Sequence, residues 1–472
     1  MEIDEKVIKG IVEKVVEQFS VAEGSDRGVR HFPGVFDTME EAVYQASKAF
    51  KIFAEVSLET RKTMIAAMRR TVEDNVEQLA AQAVDETGMG RVADKIQKNL
   101  LAARSTPGVE DVQPDVYSGD HGLTLIERAP YGVIGAIAPS TNPTETIINN
   151  SISMISAGNV VVFNAHPAAK NVSVYTVGLL NEAIVKAGGP ENLITTVINP
   201  SIESGKLMME HPLINLLTVT GGPGVVNQAM KTSKKVIAAG PGNPPSVVDE
   251  TADIPKAARD LVNGAGFDNN IVCICEKEIV AVRSVADSLK SEMVKAGAFE
   301  LTGDYIKKVT ELVIADPGRK GYEGAPNKKY VGKNASFIAS EIGLNLPEET
   351  KILLLEVDQS HPLLWTEQLM PVIPLVRVDT VDQAIDLALD LEHGFRHSAS
   401  MHSLNIAKLS KMARLINCSL FVKNGSNFNG MGFGGSGFTS FTIASPTGEG
   451  FTRARTFTRE RRCSLIDYFR IV

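Results

Sequence analysis

Cys273 is the residue of this chain best placed for covalent chemistry. It closes the polar run Gly266-Phe-Asp-Asn-Asn-Ile-Val-Cys273 and comes shortly before an apolar run, Ile279–Val282, that predicts a strand. A thiol held at the mouth of a cleft can lose its proton and attack a carbonyl carbon. A buried structural cysteine is the other interpretation, because free cysteines are among the most buried residues.

Asn142 and Glu367 lie at turns where polar groups could assist such a thiol. Asn142 opens a predicted helix, so its side-chain amide could donate to an oxyanion, although asparagine is also a favoured helix N-cap. Glu367 comes just before an apolar strand, where its carboxylate could accept the hydroxyls of a ribose or could simply be exposed. Position alone leaves both alternatives open for each residue.

Gly221 and Gly222 lie in a turn between an apolar strand and a helix. Glycines at this place let the backbone approach a pyrophosphate, and the N-terminus of the helix favours its negative charge. The turn lacks the full G-x-G-x-x-G spacing, so a plain tight turn between strand and helix is equally compatible with the sequence.

Short apolar strands alternate with amphipathic helices around these turns, which predicts a doubly wound parallel sheet that binds ligands at its strand carboxyl ends. Long helices rich in Ala, Glu, Lys and Met are predicted before it, over 39–88. The elements predicted for the sheet are Val133–Ala138, Thr144–Ala157, Val160–Phe163, Asn171–Ala187, Ile194–Ile198, Glu203–Glu210, Leu216–Thr220, Gly224–Thr232 and Val236–Ala239.

The run Gly240-Pro-Gly-Asn-Pro-Pro245 breaks this alternation and predicts a domain boundary. Residues 305–350 are more polar and predict irregular structure, and the Gly-, Thr- and Ser-rich end from about residue 424 predicts loops and edge strands. A second α/β pattern follows the break, with elements predicted at Ser246–Val248, Pro255–Gly264, Ile279–Val282 and Ser284–Ala296.

Residues 1–20 form a separate pattern at the N-terminus. Apolar residues recur there at three- and four-residue spacing, which predicts an amphipathic helix with one continuous apolar stripe. A polar, Gly-containing linker is predicted over 21–34. The stripe needs a second surface, either the protein's own core or a partner protein. A membrane surface is the weaker option, because the polar face is as acidic as it is basic.

Length and composition define the class of protein. A chain of 472 residues predicts two or three domains, and 43% hydrophobic with 22% charged residues is ordinary for a globular protein. The net charge of −8 gives no reason to expect nucleic acid, and no apolar run has the length of a membrane span. The four sparse cysteines predict a reducing compartment, and their spacing predicts no metal site.

Taken in order along nearly the whole chain, these segments resemble the aldehyde dehydrogenase superfamily, and most closely its CoA-acylating branch from bacterial microcompartments. The resemblance implies an α/β fold with two doubly wound parallel-sheet domains and a small β bridging element. The segments that carry the resemblance are Glu86-Thr-Gly-Met-Gly-Arg91, Ala138–Thr146, Ala165-His-Pro-Ala-Ala-Lys170, Gly240–Glu250, Phe267–Glu276, Glu367–Val372 and Ser445-Pro-Thr-Gly-Glu-Gly450.

The resemblance also implies roles for single residues. Cys273 lies where this family carries its nucleophile, and Asn142 lies where it carries the amide that binds the oxyanion. NAD is the expected hydride acceptor, with NADP as the alternative, and coenzyme A is the expected co-substrate. The residues expected to bind these cofactors are Ala138, Pro139, Ser140, His166, Pro167, Gly221, Gly222 and Glu367.

Two departures from the general superfamily bear on the reaction. Ala239 stands where hydrolytic members carry a glutamate that activates water, so a thioester on Cys273 would persist until a thiol such as CoA arrives. His166 belongs to a segment, Asn164-Ala-His166, where hydrolytic members have a lysine that contacts the adenosine ribose, which fits a cleft shared by NAD and CoA.

The implied reaction is oxidation of propionaldehyde, or of acetaldehyde, to its acyl-CoA through a thioacyl enzyme. A hydrolytic aldehyde dehydrogenase, an acyl-phosphate reductase on the same fold and a catalytically silent shell-associated scaffold subunit are the alternatives. A product assay with and without CoA separates the first of these from the implied reaction.

The resemblance further implies how the subunit is organised. A cofactor domain is expected over 35–239 with a bridging segment near 110–130, a catalytic domain over 240–425, and a bridging or oligomerisation segment over 426–472. Homodimers or homotetramers are expected, with residues 1–20 docked on a shell protein inside a microcompartment of the bacterial cytoplasm. Neither nucleic acid nor a membrane is an expected partner.

Overall fold

Two parallel sheets, one three-stranded antiparallel sheet and two two-stranded pairs make up the computed structural model, which describes residues 32–472. The docking helix predicted over 1–20 therefore lies outside the described residues. The strands up to residue 239 are β1 (Val35–Phe36), β2 (Asp115–Gly119), β3 (Gly122–Pro130), β4 (Val133–Ala138), β5 (Val160–Ala165), β6 (Ile194–Val197), β7 (Leu216–Thr220) and β8 (Lys235–Ala239).

The first sheet has six parallel strands in the order β1-β6-β5-β4-β7-β8. Every residue of β5 and β6 is buried, as expected for central strands that helices cover on both faces. The helices of this part are α1 (Met39–Phe53), α2 (Leu58–Asp74), α3 (Val76–Thr87), α4 (Val92–Ser105), α5 (Pro143–Ser156), α6 (Lys170–Lys186), α7 (Ile202–Glu210) and α8 (Pro223–Met230).

The strands that follow are β9 (Pro245–Val248), β10 (Glu278–Val282), β11 (Ala298–Leu301), β12 (Ile314–Asp316), β13 (Ala325–Pro326), β14 (Ile352–Val357), β15 (Val372–Val378), β16 (Ser398–His402) and β17 (Leu420–Lys423). β12 and β13 form a separate pair, and the other seven strands form the second parallel sheet in the order β11-β14-β15-β10-β9-β16-β17. Its helices are α9 (Ile254–Gly266), α10 (Arg283–Lys295), α11 (Asp304–Val313), α12 (Ala335–Glu341), α13 (Val381–Leu391), α14 (Ile406–Ile416) and α15 (Asn427–Gly430).

The third sheet is antiparallel and joins two distant parts of the chain. The last strands are β18 (Ile443–Ala444), β19 (Gly450–Phe451) and β20 (Thr458–Ile466). β20 pairs along nine residues with β3, whose other neighbour is β2. Eight of the nine residues of β20 are exposed, so this arm lies largely outside the core.

Helix α9 leads into the cysteine turn, and its local sequence explains where the helix begins and what it packs against. Asp253 caps the helix by accepting a hydrogen bond from the backbone N–H of Lys256. Pro255 lies in the first turn, where the backbone N–H that a proline lacks would have no partner within the helix. The helix ends at Gly266 and leads directly into the turn before Cys273. Its buried stripe, which packs against β9, β10, β14 and β15, includes Ala257, Ala258, Leu261, Val262 and Ala265.

The predicted strands of the first sheet agree closely with the structure. Val133–Ala138 and Leu216–Thr220 have the predicted bounds, and the remaining strands and helices of that pattern differ by one or two residues at an end. The irregular structure predicted over 305–350 is wrong in part, because two helices, α11 and α12, form there. Both pack apolar residues such as Val309 and Ile338 into one core cluster, which tertiary burial provides and local composition does not reveal.

The helices of the described part of the chain include none that is both long and apolar enough to cross a lipid bilayer.

Candidate functional site

The carboxyl edge of the first sheet carries four of the turns that the sequence singled out. Ala138 ends β4, and the backbone N–H of His166, just after β5, donates to its carbonyl at 3.0 Å. Pro139 and Ser140 are partly exposed in the turn that follows β4, and Pro167 is exposed next to His166. Gly221 and Gly222 follow β7, and Ala239 ends β8. Since these strands are parallel, their ends form one row.

The amino edge of the second sheet carries the other half of the site. Cys273 precedes β10, Glu367 precedes β15, Gly242 precedes β9 and His397 directly precedes β16. These four strands are neighbours in the order β15-β10-β9-β16, so the four residues lie side by side. The structure therefore brings Cys273 and Glu367 together, although 94 positions separate them in the sequence.

The turn before Cys273 has an unusual backbone. Asp268, Asn269 and Asn270 have φ values of 46°, 54° and 64°, so three consecutive non-glycine residues occupy the left-handed region. Asp and Asn tolerate this region better than other side chains because they form local hydrogen bonds. All three side chains are fully buried and hydrogen-bonded, which fixes the turn.

Lys277 places a buried positive charge beneath this turn. Its Nζ donates to the carbonyl of Asn270 at 2.7 Å and to the Oδ1 of the same residue at 2.6 Å, and lies 3.4 Å from the carbonyl of Val272. The side chain of Lys277 is fully buried. The ammonium therefore ties the end of the left-handed run to the residue that precedes Cys273.

Cys273 is a partly exposed residue, and the groups around its thiol act on the acidity of that thiol in opposite directions. Burial raises the pKa of the thiol to about 12, and the carboxylate of Glu367 raises it as well, whereas the charge of Lys277 lowers it. Burial also raises the pKa of Glu367 to about 7. The neighbouring Cys275 is fully buried and its pKa is raised by burial, so Cys273 is the accessible thiol of the pair.

Gly242 brings three of these groups together. Its backbone N–H donates to the carboxylate of Glu367, which lowers the pKa of that group against the effect of burial. A Cβ on Gly242 would stand 2.8 Å from the Cys273 carbonyl oxygen and 2.9 Å from Cγ of His397. Only a glycine lets the backbone pass between the cysteine turn and the imidazole.

His397 is a neutral imidazole at this edge. Burial and the charge of Lys277 lower its pKa to about 4, and its Nδ1 lies 2.9 Å from the Ser398 hydroxyl. Its Nε2 is buried and has no hydrogen-bond partner within residues 32–472. A buried polar nitrogen of this kind is satisfied by a water or by a ligand.

Asn142 occupies the N-cap position of α5, but its side chain does not cap the helix. Its Oδ1 instead accepts a hydrogen bond from Lys98 Nζ at 2.6 Å, and its Nδ2 lies 3.1 Å from the Thr141 hydroxyl. The capping alternative is therefore wrong for this residue. An amide with its oxygen held in this way can present an N–H to an acceptor.

The turn after β7 fits a bound pyrophosphate. Gly222 is the N-cap of α8, and a Cβ built on it would meet no atom within 4 Å, so open space adjoins the helix N-terminus. A helix N-terminus with free backbone N–H groups favours a phosphate. His166 is an exposed residue whose ring is only partly covered. That partial burial and the charge of Lys328 lower its pKa. The row from Ala138 to Gly222 therefore suits an elongated nucleotide.

Sequence reasoning missed four residues of this site, Lys98, Gly242, Lys277 and His397. Gly242 and His397 lie far from Cys273 along the chain and meet it because parallel strands bring their ends together, whereas Lys98 lies on α4 and contacts the Cys273 turn through Asp268. The sequence did carry one signal for Lys98. Lys95 and Lys98 share a helix face with the apolar Leu101 and Ala102, where a lysine is out of place unless it is paired.

We predict that Glu367→Gln speeds the alkylation of Cys273 above pH 7. With a pKa of about 7, Glu367 is ionised there, and its negative charge raises the pKa of the thiol. Removing that charge increases the thiolate fraction, which is the reactive form. The rate of iodoacetamide labelling, followed by mass spectrometry of the Cys273 peptide, measures the effect.

Below pH 6 the two proteins should label at similar rates, because a protonated Glu367 carries no charge to remove. Cys463, exposed on β20, is the internal control and should react alike in both proteins. Equal labelling of Cys273 in both proteins at pH 8 would show that the carboxylate does not act on the thiol.

We predict that Gly242→Ala lowers aldehyde-dependent NADH formation by about 100-fold, since a displacement of about 1 Å at a reactive centre has that effect. The added methyl group must displace the Cys273 carbonyl or the His397 ring. Gly119→Ala is the matched control, because a Cβ there meets nothing within 4 Å. A Gly242→Ala protein with normal activity would contradict the close approach of the two segments.

Comparison with known proteins agrees with this geometry. The model of the aldehyde dehydrogenase family matches residues 36–455. The acetylating acetaldehyde dehydrogenase EutE of Salmonella typhimurium is 49% identical over 469 residues, which is 99% of each chain.

Two solved structures are similar over most of their length. Propionaldehyde dehydrogenase of Rhodopseudomonas palustris, with bound CoA and an acylated cysteine, has a TM-score of 0.89 and 48% identity, covering 92% of this chain and 98% of that one. A propionaldehyde dehydrogenase from the fucose utilisation microcompartment of Clostridium phytofermentans has a TM-score of 0.90 and 46% identity, covering 93% and 100%. The sequence, the fold and the arrangement of the cleft together establish that this chain belongs to the aldehyde dehydrogenase family.

Proposed function

We propose that this protein oxidises a short aldehyde, propionaldehyde or acetaldehyde, to its acyl-CoA through a thioacyl intermediate on Cys273. One observation carries the proposal above the others. Cys273 is a partly exposed residue at the end of a fixed turn, close enough to Glu367 of the second sheet and to Lys98 of α4 for their charges to act on its thiol. Relatives that share the whole chain are acylating aldehyde dehydrogenases.

The residues of the cleft divide the reaction into two stages. In the first, the Cys273 thiol gives its proton to solvent and its sulfur bonds to the aldehyde carbon, and the carbonyl oxygen becomes an oxyanion beside the Asn142 Nδ2 and the Cys273 backbone N–H. When bound, the nicotinamide cofactor would accept the hydride and CoA would accept the acyl group. The Glu367 carboxylate would hold the ribose of that cofactor, and the turn at Gly221 and Gly222 would hold its pyrophosphate.

The fate of the thioester depends on which nucleophile reaches it. Ala239 ends β8 at the cleft with a methyl side chain, 5% exposed, and cannot take a proton from water. The thioester therefore persists until the CoA thiol attacks it, since thiols are intrinsically strong nucleophiles. This argument favours acyl-CoA over free acid as the product.

We expect Cys273→Ala to lose NADH formation from propionaldehyde, because no other thiol of the cleft is accessible. Cys275→Ala is the matched control, since that buried thiol lies two positions away and should tolerate the change. NADH absorbance and chromatography of the acyl-CoA follow the reaction. With CoA omitted, the wild type should form about one NADH for each active site and then stop.

Three outcomes would contradict this mechanism. Substantial NADH formation by Cys273→Ala would move the nucleophile elsewhere. Continuous turnover to free acid without CoA would favour the hydrolytic alternative. Dependence on inorganic phosphate in place of CoA would favour the acyl-phosphate reductase. A comparison of kcat/KM for acetaldehyde and propionaldehyde, with NAD and with NADP, identifies the preferred pair.

The exposed third sheet supports a homodimer or a homotetramer. Several large apolar side chains are exposed on β2, on β20 and on the last residues of the chain, among them Val116, Tyr117, Ile466 and Phe469. A concentration of exposed apolar side chains on one small sheet is typical of an interface. Two segments, near 110–130 and over 426–472, would then have two roles. They would join one subunit to another, and within a subunit they would connect the part over 35–239 with the part over 240–425.

Residues 1–20 would dock the enzyme on a microcompartment shell in the bacterial cytoplasm. The support for this part of the proposal is the apolar stripe of that segment and the linker behind it. The relative from Clostridium phytofermentans belongs to such a compartment. A helix with one apolar face suits a groove or a short helix of another protein.

Deletion of residues 1–20 should leave activity in solution nearly unchanged and abolish co-purification with co-expressed shell proteins. The full-length protein should also aggregate more readily, because an apolar stripe with no shell protein to cover it would associate with other copies. Light scattering and pull-down assays measure both effects. Should the truncated protein lose activity or melt several degrees lower, the segment belongs to the core and the docking proposal is wrong.

A further inference from the structure

Four charged side chains are buried together between the two parallel sheets. Lys95 and Lys98 come from α4, Glu145 comes from the first turn of α5, and Asp268 comes from the cysteine turn. None has more than 1% of its surface exposed. The charges balance, two positive and two negative, which is what makes their burial tolerable.

Lys98 is the centre of this cluster. Its Nζ donates to Asn142 Oδ1 at 2.6 Å, and ion pairs join it to Asp268 Oδ2 at 2.5 Å and Glu145 Oε1 at 3.2 Å. An ammonium has three N–H donors, and three oxygens surround this one. The two carboxylates raise the pKa of Lys98 above its ordinary value, so the group carries its charge throughout the physiological range.

The contact with Lys98 determines which end of the Asn142 amide faces the cleft. If the amide were rotated by half a turn, its NH2 group would stand against the ammonium, and two donors would meet without an acceptor. The observed orientation instead gives the oxygen to Lys98, and of the two N–H bonds on Nδ2 one donates to the Thr141 hydroxyl and the other is left for an acceptor. A charge-assisted hydrogen bond to the oxygen also polarises the amide, which strengthens its N–H groups as donors.

Lys98 also holds the turn that carries the thiol. Asp268 lies five residues before Cys273 and begins the left-handed run. Its carboxylate accepts from the backbone N–H of Arg91 at 2.7 Å as well as pairing with both lysines. One ammonium therefore contacts the amide that follows β4 of the first sheet and the turn that precedes β10 of the second.

We propose that Lys98 is a positioning residue that sets the distance and orientation between the Asn142 amide and the Cys273 turn. The inference rests on the proposed function, in which that amide binds the oxyanion. Lys98 reaches this effect through Asn142 and Asp268 and touches no reacting atom.

Lys98→Met tests the proposal against Lys95→Met as the matched control. Both lysines are buried on α4 and pair with Asp268, but only Lys98 contacts Asn142; Lys95 donates to the carbonyl of Thr141 instead. We expect kcat for NADH formation to fall by roughly 100-fold in Lys98→Met, with KM changed little, because the loss of an oxyanion donor lies in that range. The loss of kcat in Lys95→Met should be at least about tenfold smaller than the loss in Lys98→Met.

A double-mutant cycle with Asn142→Ala separates positioning from general damage. In the Asn142→Ala background, Lys98→Met should lower kcat by less than about threefold, since the amide it positions is already absent. If the two losses multiply instead, Lys98 does not act through Asn142 and the inference is overturned. If Asn142→Ala alone leaves kcat unchanged, both the inference and the assignment of the oxyanion amide are wrong, whereas the role of Cys273 stands on its own test.

Removal of one buried charge can prevent folding, so a charge-balanced variant accompanies the single one. Lys98→Met combined with Glu145→Gln removes one charge of each sign and leaves Lys95 paired with Asp268. Circular dichroism and thermal melting confirm that this protein is folded. A folded double variant with the kcat loss of roughly 100-fold supports the inference, and a folded double variant with wild-type kcat overturns it.

Discussion

The site depends on a backbone turn that is unfavourable by itself. A left-handed conformation costs a non-glycine residue about 1–2 kcal/mol, and Asp268, Asn269 and Asn270 adopt it one after another. Each is held by a different part of the fold: Asp268 by the two lysines of α4, Asn269 by the segment at 332–334, and Asn270 by the end of α9 and by Lys277. The thiol has a defined position because all three supports act on one short run.

The buried charges around that turn differ in what they do. Lys277 donates to the carbonyl and side-chain oxygens of Asn270, and its positive charge favours the thiolate of Cys273 against burial and against Glu367. Lys98 also lowers the pKa of that thiol, but less than Lys277 does, and two carboxylates pair with its charge. Lys277 therefore acts mainly on the reactivity of the thiol, and Lys98 acts mainly on alignment. Burial therefore keeps the pKa of the thiol high, and the charges of Glu367 and Lys277 shift it in opposite directions.

The sequence predicted the elements far better than the contacts between them. Strand β4 was found with its observed bounds because buried parallel strands are continuous apolar runs between turn residues. Asn142 was a candidate with capping as the alternative, and the contact of its oxygen with Lys98 excludes the cap, while the oxyanion role stays a prediction. His397 and Gly242 carried no local signal, because their significance comes from the order β15-β10-β9-β16, which pattern and spacing do not encode.

The cost of burying the lysine cluster argues for a positional role. Two lysines and two carboxylates lose their hydration in this cluster, and apolar side chains of similar volume often replace such groups with no loss of stability. Apolar packing at the same place would hold the two sheets together but would not orient an amide, since it has no preference between Oδ1 and Nδ2. An ammonium has that preference, and it also attracts Asp268 from the opposite side of the cleft. Alignment of Asn142 and Cys273, the two groups that the proposed mechanism needs, would therefore explain the buried charges where stability alone does not.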